Sequence, residues 1–195
     1  MSDENAFAEL MARVRRGDAC AAEELLRQFE GQVRLEVQLR LRDPRLRRLV
    51  DDVDVCQSVW LSFFVRVRLG EYDVEDSKEL MHLLARIARN KVARQARRHS
   101  AGRRDFRRSE GLAGAEKRAA RDANPSSVLA SEELVREVRA RLSQEERSIA
   151  DLRSLGRKWT EIAQEMGGTA DARRVQLQRA AGRVRHELGF EDDDE

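Results

Sequence analysis

Aromatic residues, proline and cysteine are all scarce in this sequence. Aromatics make up 5% of the chain and charged residues 38%, so a core must come mainly from Leu, Val, Ala and Ile. Cys20 and Cys56 are the two cysteines and lie far apart, which excludes a disulfide framework and a cysteine metal site. Each reads as a small apolar filler in a reducing compartment. His82, His99 and His186 are scattered, with no carboxylate or cysteine at ligand spacing, and no phosphate-cradling glycine motif occurs. No residues are therefore in place for catalysis, and neither a cofactor nor a metal is expected. No apolar run approaches the roughly 18 residues of a membrane span. Met1-Ser2-Asp3-Glu4 lacks the basic-then-apolar pattern of a signal peptide, so a cytoplasmic protein is expected.

What is abundant is Ala, Arg, Glu and Leu, a composition that favours an all-α fold. Phe7, Leu10, Met11 and Val14 follow the i, i+3, i+4, i+7 rule of an amphipathic helix that Gly17 can end, and Asp18 can cap the next. That second helix carries Ala22, Leu25, Leu26, Phe29 and Val33. From Val33 to Arg42 apolar and polar residues alternate as in a strand, but no comparable strand exists to pair with it. Val33, Val37 and Leu41 also continue the helical stripe, so helix is expected. Asp43-Pro44 breaks it. Asp51, Asp52 and Asp54 then suit a helix N-terminus, followed by Val55, Val59, Trp60, Phe63 and Val67 and closed by Gly70. Trp60 and the Phe63-Phe64 pair are expected in the core. Glu71 to Lys78 reads as a polar loop around Tyr72, Ser77 as the cap of a helix buried through Leu80, Leu83, Leu84, Ile87 and Ala88.

The net charge of +2 conceals a strong segregation. Between Arg86 and Arg121 positive charges exceed negative ones by ten, and Glu191 to Glu195 is wholly acidic. A partner with a dense negative surface, nucleic acid above all, fits this pattern, although a solvated basic linker would produce it too. Gly102, Gly111, Gly114 and Pro125 stand among polar residues and small alanines and mark a flexible linker. Two small helical domains are expected: 1–99, then the linker 100–127, then 128–190, with the acidic tail 191–195.

In the second domain Leu129, Val135, Val138 and Leu142 mark one helix, and Ser143-Gln144-Glu145-Glu146 is a capping box for another with Ile149, Leu152 and Leu155. Thr160 can cap a short helix with Ile162, Ala163 and Met166. Gly167-Gly168 makes a turn, and a final helix is expected from about Ala172 to Leu188. A short helix, a tight glycine turn and a long basic helix describe a helix-turn-helix. Arg173, Arg174, Gln176 and Arg179 would face the major groove, where Arg pairs with guanine, Gln with adenine, and further arginines hold phosphates.

Three segments resemble the extracytoplasmic-function sigma factors. Leu142-Ser143-Gln144-Glu145-Glu146-Arg147, Trp159 through Gly167 and Val175 through Ala180 are similar to their DNA-binding fourth domain. Asp54-Val55-Cys56-Gln57-Ser58-Val59-Trp60-Leu61 resembles their polymerase-docking helix. Leu84 through Lys91 resembles the start of their −10 helix, and Arg15-Arg16-Gly17-Asp18 followed by Ala21 to Leu26 also fits. The likeness runs from about Glu9 to Leu188 in the family's order.

The resemblance implies a subunit that binds core RNA polymerase and directs initiation at promoters with −10 and −35 elements, with no cofactor and no chemistry of its own. It implies docking on the clamp of the largest polymerase subunit through Asp54, Gln57 and Ser58. It implies capture of a −10 base by the loop Glu71 to Lys78, Tyr72 included, with Asn90, Lys91, Arg94, Arg97 and Arg98 on the adjoining DNA. At the −35 element it adds Lys158 and Thr160 near phosphates. A separate anti-sigma protein is a further partner that it allows. Three positions depart from the family: Ser58 replaces a common glutamate, Leu83 a frequent tryptophan, and Arg173 an apolar residue buried under the recognition helix. Arg173 would either snorkel to a phosphate or precede the helix.

Two rivals share the residues. A stand-alone helix-turn-helix regulator would dimerise and bind twofold half-sites without polymerase. A helical protein-interaction adaptor would show little salt-dependent DNA binding. The segment Asp54 to Leu61 separates them from a polymerase subunit, because a simple repressor does not need it.

Overall fold

The computed structural model describes residues 2–41, 47, 50–106 and 126–188. Eight helices joined by turns and loops make up these residues, with no strand among them: α1 (Ser2–Arg16), α2 (Ala19–Arg40), α3 (Asp52–Arg68), α4 (Ser77–Phe106), α5 (Ser126–Arg141), α6 (Gln144–Ser154), α7 (Trp159–Met166) and α8 (Ala170–Glu187). The ambiguous alternating segment is helical up to Arg40, because Val33 and Val37 bury on one side while Leu35 and Leu39 stay in solvent. Asp43-Pro44 lies outside the described residues.

Local chemistry sets the boundaries. Gly17 turns at φ +87°, and Asp18 caps α2 by accepting from Ala21 N at 3.1 Å. Arg13 Nε donates to the same carboxylate at 2.8 Å. Asp51 caps α3 through Val53 N. The cap of α4 is Asp76, whose Oδ1 accepts from the amides of Lys78 and Glu79, and not Ser77, which is the first helical residue. The capping box of α6 forms as expected, with Glu146 N donating to Ser143 Oγ and Ser143 N to Glu146 Oε2. Thr160 lies inside α7, which starts at Trp159. There the Glu161 carboxylate accepts from Lys158 N at 3.0 Å in place of a side-chain cap. α8 starts two residues earlier than expected because Thr169 Oγ1 accepts from Ala172 N.

Helix α4 continues to Phe106, beyond the expected linker start at 100, and α5 begins at Ser126, ahead of its expected end at 127. At 30 residues, α4 is about 45 Å long.

Two cores organise the molecule, and α3 belongs to both. Leu10, Met11 and Val14 of α1, the buried stripe of α2, and Leu80, Leu84, Ile87 and Val92 of α4 close around Val55, Val59, Trp60, Phe63, Phe64 and Val67. Trp60 stacks on Phe64 at 5.6 Å and meets the edge of Phe63 at 5.9 Å. The second core joins Val135, Val138 and Leu142 with Ile149, Ile162, Leu177, Ala181 and Val184, and it takes in Val65 and Leu69, with Leu61 against it. A helix that is apolar nearly all round must be buried nearly all round, and Leu61 to Leu69 meets that condition by serving two cores. The halves of the chain therefore pack directly on each other.

Cys20 is exposed and Cys56 buried, and burial pushes the Cys56 thiol up to about 11. At pH 8 a thiol reagent is expected to modify one cysteine per native chain, Cys20, and to reach Cys56 only on unfolding. Mass spectrometry showing both modified in folded protein would contradict this packing.

Candidate nucleic-acid interface

Asp54, Gln57 and Ser58 lie on one side of α3, with Asp54 exposed and Gln57 and Ser58 half-buried. The adjoining part of α2 is tied to this end of α3 by Gln38 Nε2 donating to Asp52 Oδ2 at 2.8 Å. Leu35 and Leu39, 57% and 43% exposed, flank Gln38 at three- and one-residue spacing. Large apolar side chains left in water beside a charged helix end are a contact surface in waiting. The sequence showed them only as half of an ambiguous alternation.

Tyr72 lies half-buried in the loop between α3 and α4. Its hydroxyl accepts from Arg66 Nη1 at 2.5 Å, and the guanidiniums of Arg66 and Arg86 stand 5.7 and 6.0 Å from its ring centre. Arg15 Nη2 donates to Val74 O at 2.9 Å, fixing the loop to α1. Asn90, Lys91, Arg94 and Arg97 follow on α4 at three- and four-residue spacing, so they share one side of it. The first three are half-buried and Arg97 is exposed. Arg98 lies on the same helix, with its side chain outside the described set.

In the C-terminal half, α7 and α8 meet across Gly167 and Gly168, both with positive φ (80° and 84°), a turn that an L side chain would strain. Thr160 is exposed at the start of α7. A groove of about 590 Å³ runs along α8, lined by Glu146, Val175, Gln176, Arg179 and Arg183. Arg174 is half-exposed beside Asp171 at 3.3 Å, and Arg179 is exposed.

Arg173 behaves differently from its neighbours. Its side chain is 13% exposed, and its guanidinium is spent inside the protein. Nε donates to Gly167 O at 2.8 Å, Nη2 to Met166 O at 2.7 Å, and Nη1 to Glu145 Oε1 at 2.6 Å and to Gln176 Oε1 at 2.8 Å. The helix neither starts after Arg173 nor sends it to solvent. One guanidinium satisfies the last carbonyls of α7 and joins α6 to α8, doing with hydrogen bonds what an apolar plug does by packing. Gln176 Nε2 also donates to Glu145 at 3.1 Å, so the Gln176 amide orientation is set by two neighbours. The Arg173 hydrogen bond, then Gln176, holds the Glu145 carboxyl below its ordinary range.

Two buried arginines that join distant parts of the chain were not singled out from the sequence. Arg153 of α6 and Arg185 of α8 reach the loop after α3, where they pair with Asp73 and Glu71. Arg153 also stacks on Trp159 at 4.5 Å. Lys158, expected at DNA phosphates, is exposed and lines a cavity of about 620 Å³ between the halves, together with Arg15, Asp73, Glu75 and Trp159. Among the described residues no group of His, Cys, Asp or Glu is arranged to hold a metal ion. No described helix is long and apolar enough to cross a membrane.

A family model described as ECF sigma factor covers residues 4–191. No curated protein and no solved structure matches the chain.

Proposed function

The chain belongs to the ECF sigma factor family, and on that premise we propose how its residues divide the work of directing RNA polymerase to a promoter. Transcription initiation at −10 and −35 elements is general to the family, and RNA polymerase and promoter DNA are its partners. Residues 1–99 form the part that docks on the clamp of the largest polymerase subunit and reads the −10 element, and residues 128–190 form the helix-turn-helix that reads the −35 element. Asp54, Gln57 and Ser58 make the docking contact, and Leu35 and Leu39 extend it. Tyr72, Asn90, Lys91, Arg94, Arg97 and Arg98 serve the −10 element. Arg174, Gln176 and Arg179 read the −35 element, with Thr160 and Lys158 at its phosphates once the two halves separate. Arg173 supports that helix from behind. The protein works in the cytoplasm, is not an enzyme, and is open to control by an anti-sigma protein.

The observation that carries this reading is the family match over residues 4–191, within which Asp54, Gln57 and Ser58 share one side of α3. The test is run-off transcription with core polymerase on a pool of genomic fragments, followed by sequencing of the start sites. Two-element promoters and co-elution with polymerase are expected. A dimer that binds twofold sites alone and never co-elutes would mean a repressor instead.

The same assay separates base readers from phosphate holders. Arg174→Ala and Arg179→Ala are each expected to weaken −35 binding by about 1–3 kcal/mol if a base contact is lost. Uniform weakening across sequences, with a shallower salt slope, would reassign that arginine to a phosphate.

A further inference from the structure

One of the base-reading side chains along α8 is already engaged from within the protein. Gln176 Oε1 accepts from Arg173 Nη1 at 2.8 Å, and Gln176 Nε2 donates to Glu145 Oε2 at 3.1 Å. Arg173 Nη1 also donates to Glu145 Oε1 at 2.6 Å, so three side chains close a ring of hydrogen bonds. Its polarity is fixed. A guanidinium only donates and a carboxylate only accepts, so the amide oxygen must face Arg173 and the amide nitrogen Glu145. Both anchors are themselves held. Glu145 lies in the first turn of α6 beside Glu146, which accepts from Ser143 N at 2.8 Å and from Arg183 Nη2 at 3.0 Å. Arg173 donates on its far side to Gly167 O and Met166 O.

The ring takes up the edge of the amide that a base would need. Glutamine reads adenine by accepting from N6 and donating to N7 side by side. The oxygen and nitrogen of Gln176 meet partners that are bonded to each other, and so small a ring closes through that same edge. What remains for DNA is the second N–H and the second oxygen lone pair, which point apart. A single donor finds an acceptor on either kind of base pair, since adenine and guanine both carry N7 in the major groove. Held in this way, Gln176 contacts DNA at one point and discriminates little.

We propose that Glu145 is a specificity-determining positioning residue: with Arg173 it withholds the adenine-reading edge of Gln176 and leaves the choice of −35 bases to Arg174 and Arg179. The proposal rests on α8 being the helix that reads the −35 element. Glu145 acts through Gln176 and touches no base itself. An apolar side chain at position 173 could not close the ring, so the device depends on arginine there.

The test is run-off transcription by the full chain with core polymerase, from a library in which the −35 element of one promoter is randomised. The wild type is expected to show no adenine preference that Gln176→Ala removes. Glu145→Ala changes a side chain that is 54% exposed, so it frees the amide without emptying the core. It should create an adenine preference of about tenfold at one base pair, within the range of a bidentate contact. Glu145→Gln keeps the length of the side chain, but its one amide oxygen cannot face both Arg173 and Gln176. The same preference should appear there, and adding Gln176→Ala to either variant should abolish it. A wild type that already selects adenine through Gln176 would mean that the ring opens on DNA, and would overturn the proposal. An even loss across all −35 sequences in both Glu145 variants would overturn it too, as the mark of a merely structural role. So would a new preference that survives Gln176→Ala, because Glu145 would then be reading the base itself. Failure of the helix assignment is distinguishable: Arg174→Ala and Arg179→Ala would leave every −35 preference as in the wild type, and the proposal would fall with it.

Discussion

Asp54→Arg combined with Gln57→Ala is expected to abolish co-elution with core RNA polymerase and all promoter-dependent run-off product. Asp54 is exposed and Gln57 half-buried on a helix whose core residues are Val55, Val59 and Trp60, so neither change empties the interior. The thermal midpoint should fall by no more than about 2–4 °C, the shift of roughly 1 kcal/mol in a chain of this size. The effect on docking is much larger. A contact point replaced by the opposite charge loses its own interaction and adds repulsion, and central interface residues are each worth about 2 kcal/mol or more. Two such losses reduce affinity by about a thousandfold. A variant that melts like the wild type but still co-elutes would move the docking surface elsewhere, with Leu35 and Leu39 the next positions to change.

The second large effect is expected at Arg173. Arg173→Ala removes donors from Met166 O, Gly167 O, Glu145 and Gln176 together. Hydrogen bonds made by charged groups contribute about 1.5–3 kcal/mol each, though not additively. A loss of about 2–4 kcal/mol in the stability of the C-terminal half follows, along with −35 binding. Arg173→Lys should not restore it, since a single ammonium cannot replace the forked, planar donor set. Urea unfolding followed by Trp159 fluorescence measures the first effect and −35 duplex binding the second. If Arg173→Ala unfolds like the wild type but binds the −35 duplex more weakly, Arg173 is a DNA contact and the clamp is wrong. Glu145 adds a sign for pH. Its folded value is lowered, so its contribution is complete above the ordinary glutamate range near about pH 4.3 and is lost as pH falls through the lowered value.

Most of the fold could be read from local pattern because its causes are local. The stripe Leu10, Met11 and Val14, the cap at Asp18 and the capping box at Ser143 each need no more than four residues of context. The misplaced caps were also local: Ser77 and Thr160 stand beside competing cappers, and a side chain one residue away decided each case. The residues assigned to polymerase and to the −10 element were found by likeness to a family, those of the recognition helix by the glycine turn and the arginines after it, and the structure adds their exposure and neighbours. The ion pairs between the two halves could not be read in this way. Arg185 and Glu71 are 114 residues apart and Arg153 and Asp73 are 80 apart, so no spacing links them. In a chain with 38% charged residues, four more charges look like solvated surface. One clue was present and went unused: the stretch from Val59 to Leu69 has too many apolar residues for a helix with only one side to bury.

That shared helix also bears on solubility. A separation of the halves would uncover Leu61, Val65 and Leu69 together, and they lie within three turns on one helix. An apolar strip of that kind in water invites self-association. The free chain covers it with its own second half, so an unengaged pool of this protein carries its aggregation guard within the same polypeptide.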